Sequence, residues 1–102
     1  MTNRVIIIGR TTGDIDLQKT NSGKSVCTFT IATDEGKSNG EKRTQFTRCE
    51  AWNQSAEFLA QYSRKGSMIS VEGRLDTRIY EKDGRKNYTT LVVADRVSIL
   101  TT

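Results

Sequence analysis

The sequence predicts an all-β chain of five strands, with one α-helix between the third and the fourth. Three observations carry this. Residues alternate in kind along Gln45–Trp52 and again along Met68–Tyr80, the period-two signature of strands whose successive side chains point to opposite faces. Only the stretch after Asn53 carries small and apolar residues at helical spacing, with Ala56, Leu59, Ala60 and Ser63 at i, i+3, i+4 and i+7. Proline is absent, and Gly and Asn punctuate the chain where turns are needed.

The first strand runs from about Asn3 to Arg10. Its centre is apolar on both faces, as in a strand buried on both sides or covered by a partner subunit. A short extension, Asp14 to Lys19, ends at the turn signal Asn21-Ser22-Gly23. The second strand, about Lys24 to Thr33, turns Cys27, Phe29 and Ile31 toward a core. Residues Glu35 to Thr44 read as a polar, Gly-punctuated hairpin connection, longer than the two to five residues that suffice. The third strand is Gln45 to Trp52. Asn53 is placed to cap a helix reaching about Arg64; Arg64 and Lys65 suit its negative end, and Gly66 supplies a left-handed stop. A long fourth strand, about Ser67 to Tyr80, leads to the tip Lys82-Asp83-Gly84-Arg85, where Asp-Gly is a strong hairpin signal. The fifth strand returns from about Asn87 to Leu100. Three strands, one helix and two long strands is the order of an OB-fold, a small Greek-key barrel.

A chain of 102 residues predicts one domain, 1–102, with a modest core. Sixteen Lys and Arg against twelve Asp and Glu give a net charge of +4, compatible with a polyanionic partner. Histidine is absent, which removes the commonest general base and metal ligand. Cys27 and Cys49 are too few and too far apart for a zinc site; both fall on apolar strand faces and read as buried free thiols, which suits a reducing compartment. Val5-Ile6-Ile7-Ile8 is too short for a signal peptide, and no run approaches the roughly 20 apolar residues of a membrane helix. The expectation is a cytoplasmic protein with no membrane partner and no cofactor.

The functional signal is an inverted strand. In Gln45–Trp52 the small set Thr47, Cys49 and Ala51 takes the core face, leaving Phe46, Arg48, Glu50 and Trp52 facing water. The same inversion recurs in Met68–Tyr80, where Ile69, Val71, Gly73, Leu75 and Ile79 share one face and Glu72, Arg74, Asp76, Arg78 and Tyr80 the other. Exposed aromatics interleaved with arginines form a surface for stacking flat, negatively charged partners, and single-stranded nucleic acid fits it. Phe46 and Trp52 stand roughly 20 Å apart in an extended strand, room for separate bases. Arg48, Arg74 and Arg78 share the aromatic faces and suit phosphates or bases. Lys37, Lys42 and Arg43 line the first long loop, and Lys82, Arg85 and Lys86 the second, as two basic arms.

These features resemble those of the bacterial and phage single-stranded DNA-binding proteins across essentially the whole chain. The resemblance is carried by Asn3-Arg4-Val5 leading to Gly9-Arg10, Phe29-Thr30-Ile31-Ala32 and Arg64-Lys65-Gly66-Ser67. Further on it is carried by Glu72-Gly73-Arg74-Leu75, Thr77-Arg78, Tyr88-Thr89-Thr90 and Val92-Val93-Ala94-Asp95. It implies an OB-fold that assembles as a homotetramer (a dimer is the alternative) and binds single strands with little sequence preference in replication, recombination and repair. It implies base stacking at Phe46, Trp52 and Tyr80, a packing role for Tyr88, and backbone contacts from Arg4, Arg10, Lys65, Arg74 and Arg78. Lys19 and Lys37 stand where many relatives carry aromatics, which trades stacking for charge and predicts a steeper salt dependence. The sequence ends at Thr102, without the linker and acidic tail through which cellular relatives recruit replication and repair proteins, so tail-mediated partners are not expected. A phage or plasmid origin, or a truncated chain, would each account for that.

Two other classes compete. A metal-dependent nuclease would draw on Asp14, Asp16, Asp34 and Glu35, yet all four stand beside turn residues and no general base accompanies them. An assembly module would use the same exposed aromatics to hold protein, with a primosome-type accessory protein lying between that reading and the first.

Overall fold

Backbone pairing curls the chain into a closed barrel in a computed structural model that describes residues 1–102, the side chain of Ser38 excepted. Its elements are β1 (Val5–Thr11), β2 (Gln18–Lys19), β3 (Ser25–Ser38), β4 (Glu41–Trp52), α1 (Asn53–Tyr62), β5 (Met68–Lys82) and β6 (Arg85–Thr101). The sheet order is β1-β5-β6-β4-β3-β2, and β1 also pairs with β3, which closes the ring. All pairings are antiparallel except β4 with β6, which run parallel through Cys49 opposite Val92 and Glu50 opposite Val93. The expected OB-fold order is present. The sixth strand is the two-residue β2, where Gln18 and Lys19 pair with Val26 and Ser25 at the end of the expected extension.

Closure depends on two glycines. Gly9 lies where β1 leaves β5 for β3, and a Cβ there would collide with the Ala32 carbonyl and the Ile31 side chain. Gly73 sits at a bulge: Glu72 pairs with Arg96 and Gly73 with Ala94, leaving Asp95 as the extra residue of β6. A Cβ on Gly73 would meet the Val93 carbonyl. The Asn3 side chain extends the β1 edge, donating to the Leu75 carbonyl and accepting from its N–H at 2.9 Å each.

The core lies inside the barrel. Cys27, Phe29 and Ile31 of β3, Cys49 and Ala51 of β4, and Ile69 and Val71 of β5 fill it, and α1 covers one end with Ala56 and Leu59. Both cysteines are free and buried, and burial pushes the Cys27 thiol up to about 11 and Cys49 to about 12.

Four expectations need correction. The stretch from Glu35 to Thr44 is no long loop: β3 and β4 continue to Ser38 and Glu41, joined by the two-residue turn Asn39-Gly40. Both turn residues have positive φ, 54° and 81°, the conformation a type I′ hairpin requires. A register shift between Asp34 and Lys37, with Gly36 at φ 81°, absorbs one irregularity in this arm. The helix ends at Tyr62, with the Ser63 N–H closing on the Leu59 carbonyl, so Arg64 and Lys65 lie beyond it and Gly66 belongs to the next turn. Asn53 makes no side-chain cap; the residue itself is left-handed, at φ 56°. Finally, Leu75 and Ile79 do not reach the core: past Gly73 the β5–β6 hairpin projects from the barrel and both side chains are exposed.

Candidate nucleic-acid interface

Register alone gathers one surface from five strands. Glu50 of β4 pairs with Val93 of β6, and Val93 with Arg74 of β5. Paired residues share a face and alternate residues repeat it, so Phe46, Arg48, Glu50 and Trp52 lie on the same outer side as Arg74, Asp76, Arg78 and Tyr80. On the other flank Arg10, Ala32 and Phe46 form one row across β1, β3 and β4. Two neighbouring strand spacings separate Arg10 from Phe46 along that row, about 10 Å.

Phe46 is 66 % exposed and Tyr80 50 %, too much for side chains that serve the core. Trp52 is half-buried. Its indole Nε1–H donates to Glu50 Oε1 at 2.7 Å. Glu50 is the main surprise of this face. Expected in water beside the aromatics, it is 5 % exposed and locked by Arg78, whose two terminal nitrogens donate to Oε2 at 2.8 Å and Oε1 at 2.7 Å. Arg78 Nε also donates to Asp76 Oδ2 at 3.2 Å, and Arg74 stands 3.9 Å from the other Asp76 oxygen. The Arg78 hydrogen bonds hold the Glu50 carboxyl below the usual range against the opposing effect of burial, and Glu50 in turn raises the Arg78 pKa.

The remaining basic candidates divide by position. Arg48 donates to the Thr30 hydroxyl at 3.3 Å and stays exposed on the aromatic face. Arg10 donates to the Gly66 carbonyl at 2.9 Å, which holds it near the row just described. At the arm tips, Lys37 faces Lys42 across β3–β4 and Lys82 faces Arg85 across β5–β6, on the Phe46 and Tyr80 sides respectively. Lys42 lies 3.9 Å from Asp34. Alternation puts Arg43 and Lys86 on the opposite sides of their arms. Arg4 is further round the barrel, paired with Asp95 at 2.7 Å, and Asp95 holds its pKa up. Lys65 sits in the α1–β5 turn, its N–H donating to Asp14 Oδ1 at 2.9 Å. Lys19 reaches Ser25 Oγ at 2.6 Å and Glu57 at 3.9 Å. The β3–β4 arm is less basic than its lysines suggest, since Asp34, Glu35 and Glu41 balance Lys37, Lys42 and Arg43.

Tyr88, expected to pack, is 65 % exposed and pairs with exposed Ile79 on the arm face away from Tyr80. The acidic residues a nuclease would need are dispersed: Asp14 accepts from Lys65, and Asp34 accepts from Thr44 at 3.2 Å. Among the described residues no three His, Cys, Asp or Glu side chains gather to hold a metal ion, and no helix is long and apolar enough to cross a membrane.

An outward aromatic and arginine face on a barrel of this order has relatives. The model of the single-strand binding protein family matches residues 2–100. The chain belongs to that family. It is 46 % identical over 103 residues to a single-stranded DNA-binding protein of Bacillus cereus, covering 98 % of this chain and 61 % of the relative. It is 46 % identical over 105 residues to one of Oceanobacillus iheyensis, covering 100 % and 65 %. It is 44 % identical over 103 residues to single-stranded DNA-binding protein 2 of Listeria monocytogenes, covering 98 % and 64 %. The chain thus spans about three fifths of the length of the curated relatives it matches. Within this family frame, sequence reasoning missed Glu50 as a member of the site. The signal was present: a carboxylate between two aromatics on an arginine-rich face suits a cationic partner, and Arg78 was within the same face.

Proposed function

We propose that this chain binds single-stranded DNA without sequence preference and protects exposed strands during replication, recombination and repair. Bases stack on Phe46, Trp52 and Tyr80. Arg10, Arg48, Arg74, Lys37, Lys42, Lys82 and Arg85 neutralise the adjacent backbone, while Arg4, Arg43, Lys65 and Lys86 bracket its path. The observation that carries the reading is the convergence of Phe46, Trp52 and Tyr80 on one outer surface whose neighbours are arginines. Stacking suits any base because each has a π-face, and each stacked base contributes about 1–3 kcal/mol. The relatives' names support the same ligand.

The role is one of binding, with no catalytic step, in the bacterial or phage-infected cytoplasm. A homotetramer is the assembly we infer. Exposed Ile6 and Ile8 on the outward side of β1 and exposed Leu100 on β6 support it, being apolar surface that a neighbouring subunit would cover. Fluorescence anisotropy of a labelled mixed-sequence oligonucleotide, single-stranded and then duplexed, tests the binding directly. Tight binding of the single strand alone is expected, with Phe46→Ala weakening it by about 1–3 kcal/mol. Equal affinity for the duplex, or an unchanged affinity in Phe46→Ala, would contradict it.

A further inference from the structure

The centre of the proposed DNA face carries a charge arrangement that stacking and phosphate binding do not require. Glu50 is a nearly buried carboxylate on a surface meant for a polyanion. It accepts three hydrogen bonds, one from the Trp52 indole and two from Arg78. Trp52 ends β4 on the barrel, whereas Arg78 lies in β5 where the hairpin leaves it. Glu50 therefore joins the barrel to the arm through side chains alone. A bidentate arginine–carboxylate pair fixes the guanidinium plane as well as its position.

We propose that Glu50 is a positioning residue that locks Trp52 and Arg78 into one rigid, electrically neutral platform, so that Arg78 braces the stacking surface instead of neutralising a phosphate. The inference rests on the single-strand reading above and refines it by assigning Arg78, which the family resemblance implies as a backbone contact, to the platform instead. Charge bookkeeping supports it. Arg74 and Arg78 are offset by Asp76 and Glu50, all four linked by contacts of 3.9 Å or less, so the cluster sums to zero. A neutral centre flanked by the basic groups Arg10, Arg48 and the arm tips would let bases sit on the platform and phosphates run along its borders. Preorganisation of this kind lowers the cost of ordering side chains when the ligand arrives.

The salt dependence of binding distinguishes a brace from a phosphate contact, because each phosphate neutralised adds about 0.7 to the slope of log K against log salt for a single strand. Affinity for oligothymidine would be measured across a salt series for the wild type, Glu50→Gln, Arg78→Gln and the double variant. Glutamine keeps the shape of Glu50 and an acceptor for the indole. The neutral-platform account predicts a slope steeper by about 0.7 in Glu50→Gln, where Arg78 is released, and shallower by a similar amount in Arg78→Gln, where Glu50 is left bare. The double variant should run parallel to the wild type. A phosphate-contacting Arg78 would instead leave Glu50→Gln unchanged and lower the slope equally in Arg78→Gln and the double variant, which would overturn the proposal. Should either single variant fold poorly, the neutral double variant alone decides between parallel and lowered slopes. Failure of the wild type to bind at all would overturn the underlying single-strand reading, and this inference with it.

Discussion

Glu50 is the residue on which the site's chemistry turns. Its carboxyl is held below its usual range chiefly by Arg78, with burial opposing and the Trp52 indole assisting. A carboxyl depressed in the folded state contributes stability that is present above its unfolded value, about 4.3, and is lost as pH falls through the folded value. The wild type should therefore lose more stability between about pH 5 and pH 2 than Glu50→Gln, measured by urea unfolding at a series of pH values. Parallel curves would mean that the Glu50–Arg78 pair contributes nothing measurable. At this scale the sequence was partly legible. The alternation around Cys49 placed Phe46 outward correctly, because small side chains opposite a large one leave only one face fit for a core. It placed Glu50 in water, because parity assigns a face and says nothing about an arginine 28 residues away that pairs across β6.

The elements that reach beyond the barrel are its two hairpins, and each depends on a two-residue turn. Asn39-Gly40 and Asp83-Gly84 all have positive φ, which side chains other than Gly, Asn and Asp adopt at a cost of about 1–2 kcal/mol per residue. Replacing both Asn39 and Gly40 by Ala should fray the β3–β4 arm while leaving the barrel intact. Hydrogen exchange would show faster exchange for amides between Asp34 and Thr44 and unchanged protection at Ile69 and Val71; unchanged protection in the arm would contradict this assignment of the turn. Asp83-Gly84 announced its hairpin in the sequence. Asn39-Gly40 gave an equally strong signal that was masked by the polar residues around it, since a strand that leaves the barrel no longer needs an apolar face. The same departure explains Leu75 and Ile79, whose alternation matched a core face that the barrel ceases to provide after the Gly73 bulge.

For the whole molecule, the order of strands and the single helix were readable because each boundary carried a turn residue or a change of period, while β2, at two residues, is too short for either. What no single strand could reveal is how β4 and β5 come to share a surface: they are never adjacent in the sheet, and β6 brings them together through its parallel pairing with β4. Trp52, the only tryptophan in the chain, lies within that shared surface. Titrating the protein with a long oligothymidine while following Trp52 fluorescence tests it most directly. Saturable quenching by the single strand is expected, weakened by salt and absent with duplex DNA. Unchanged fluorescence together with no complex in sedimentation would contradict it.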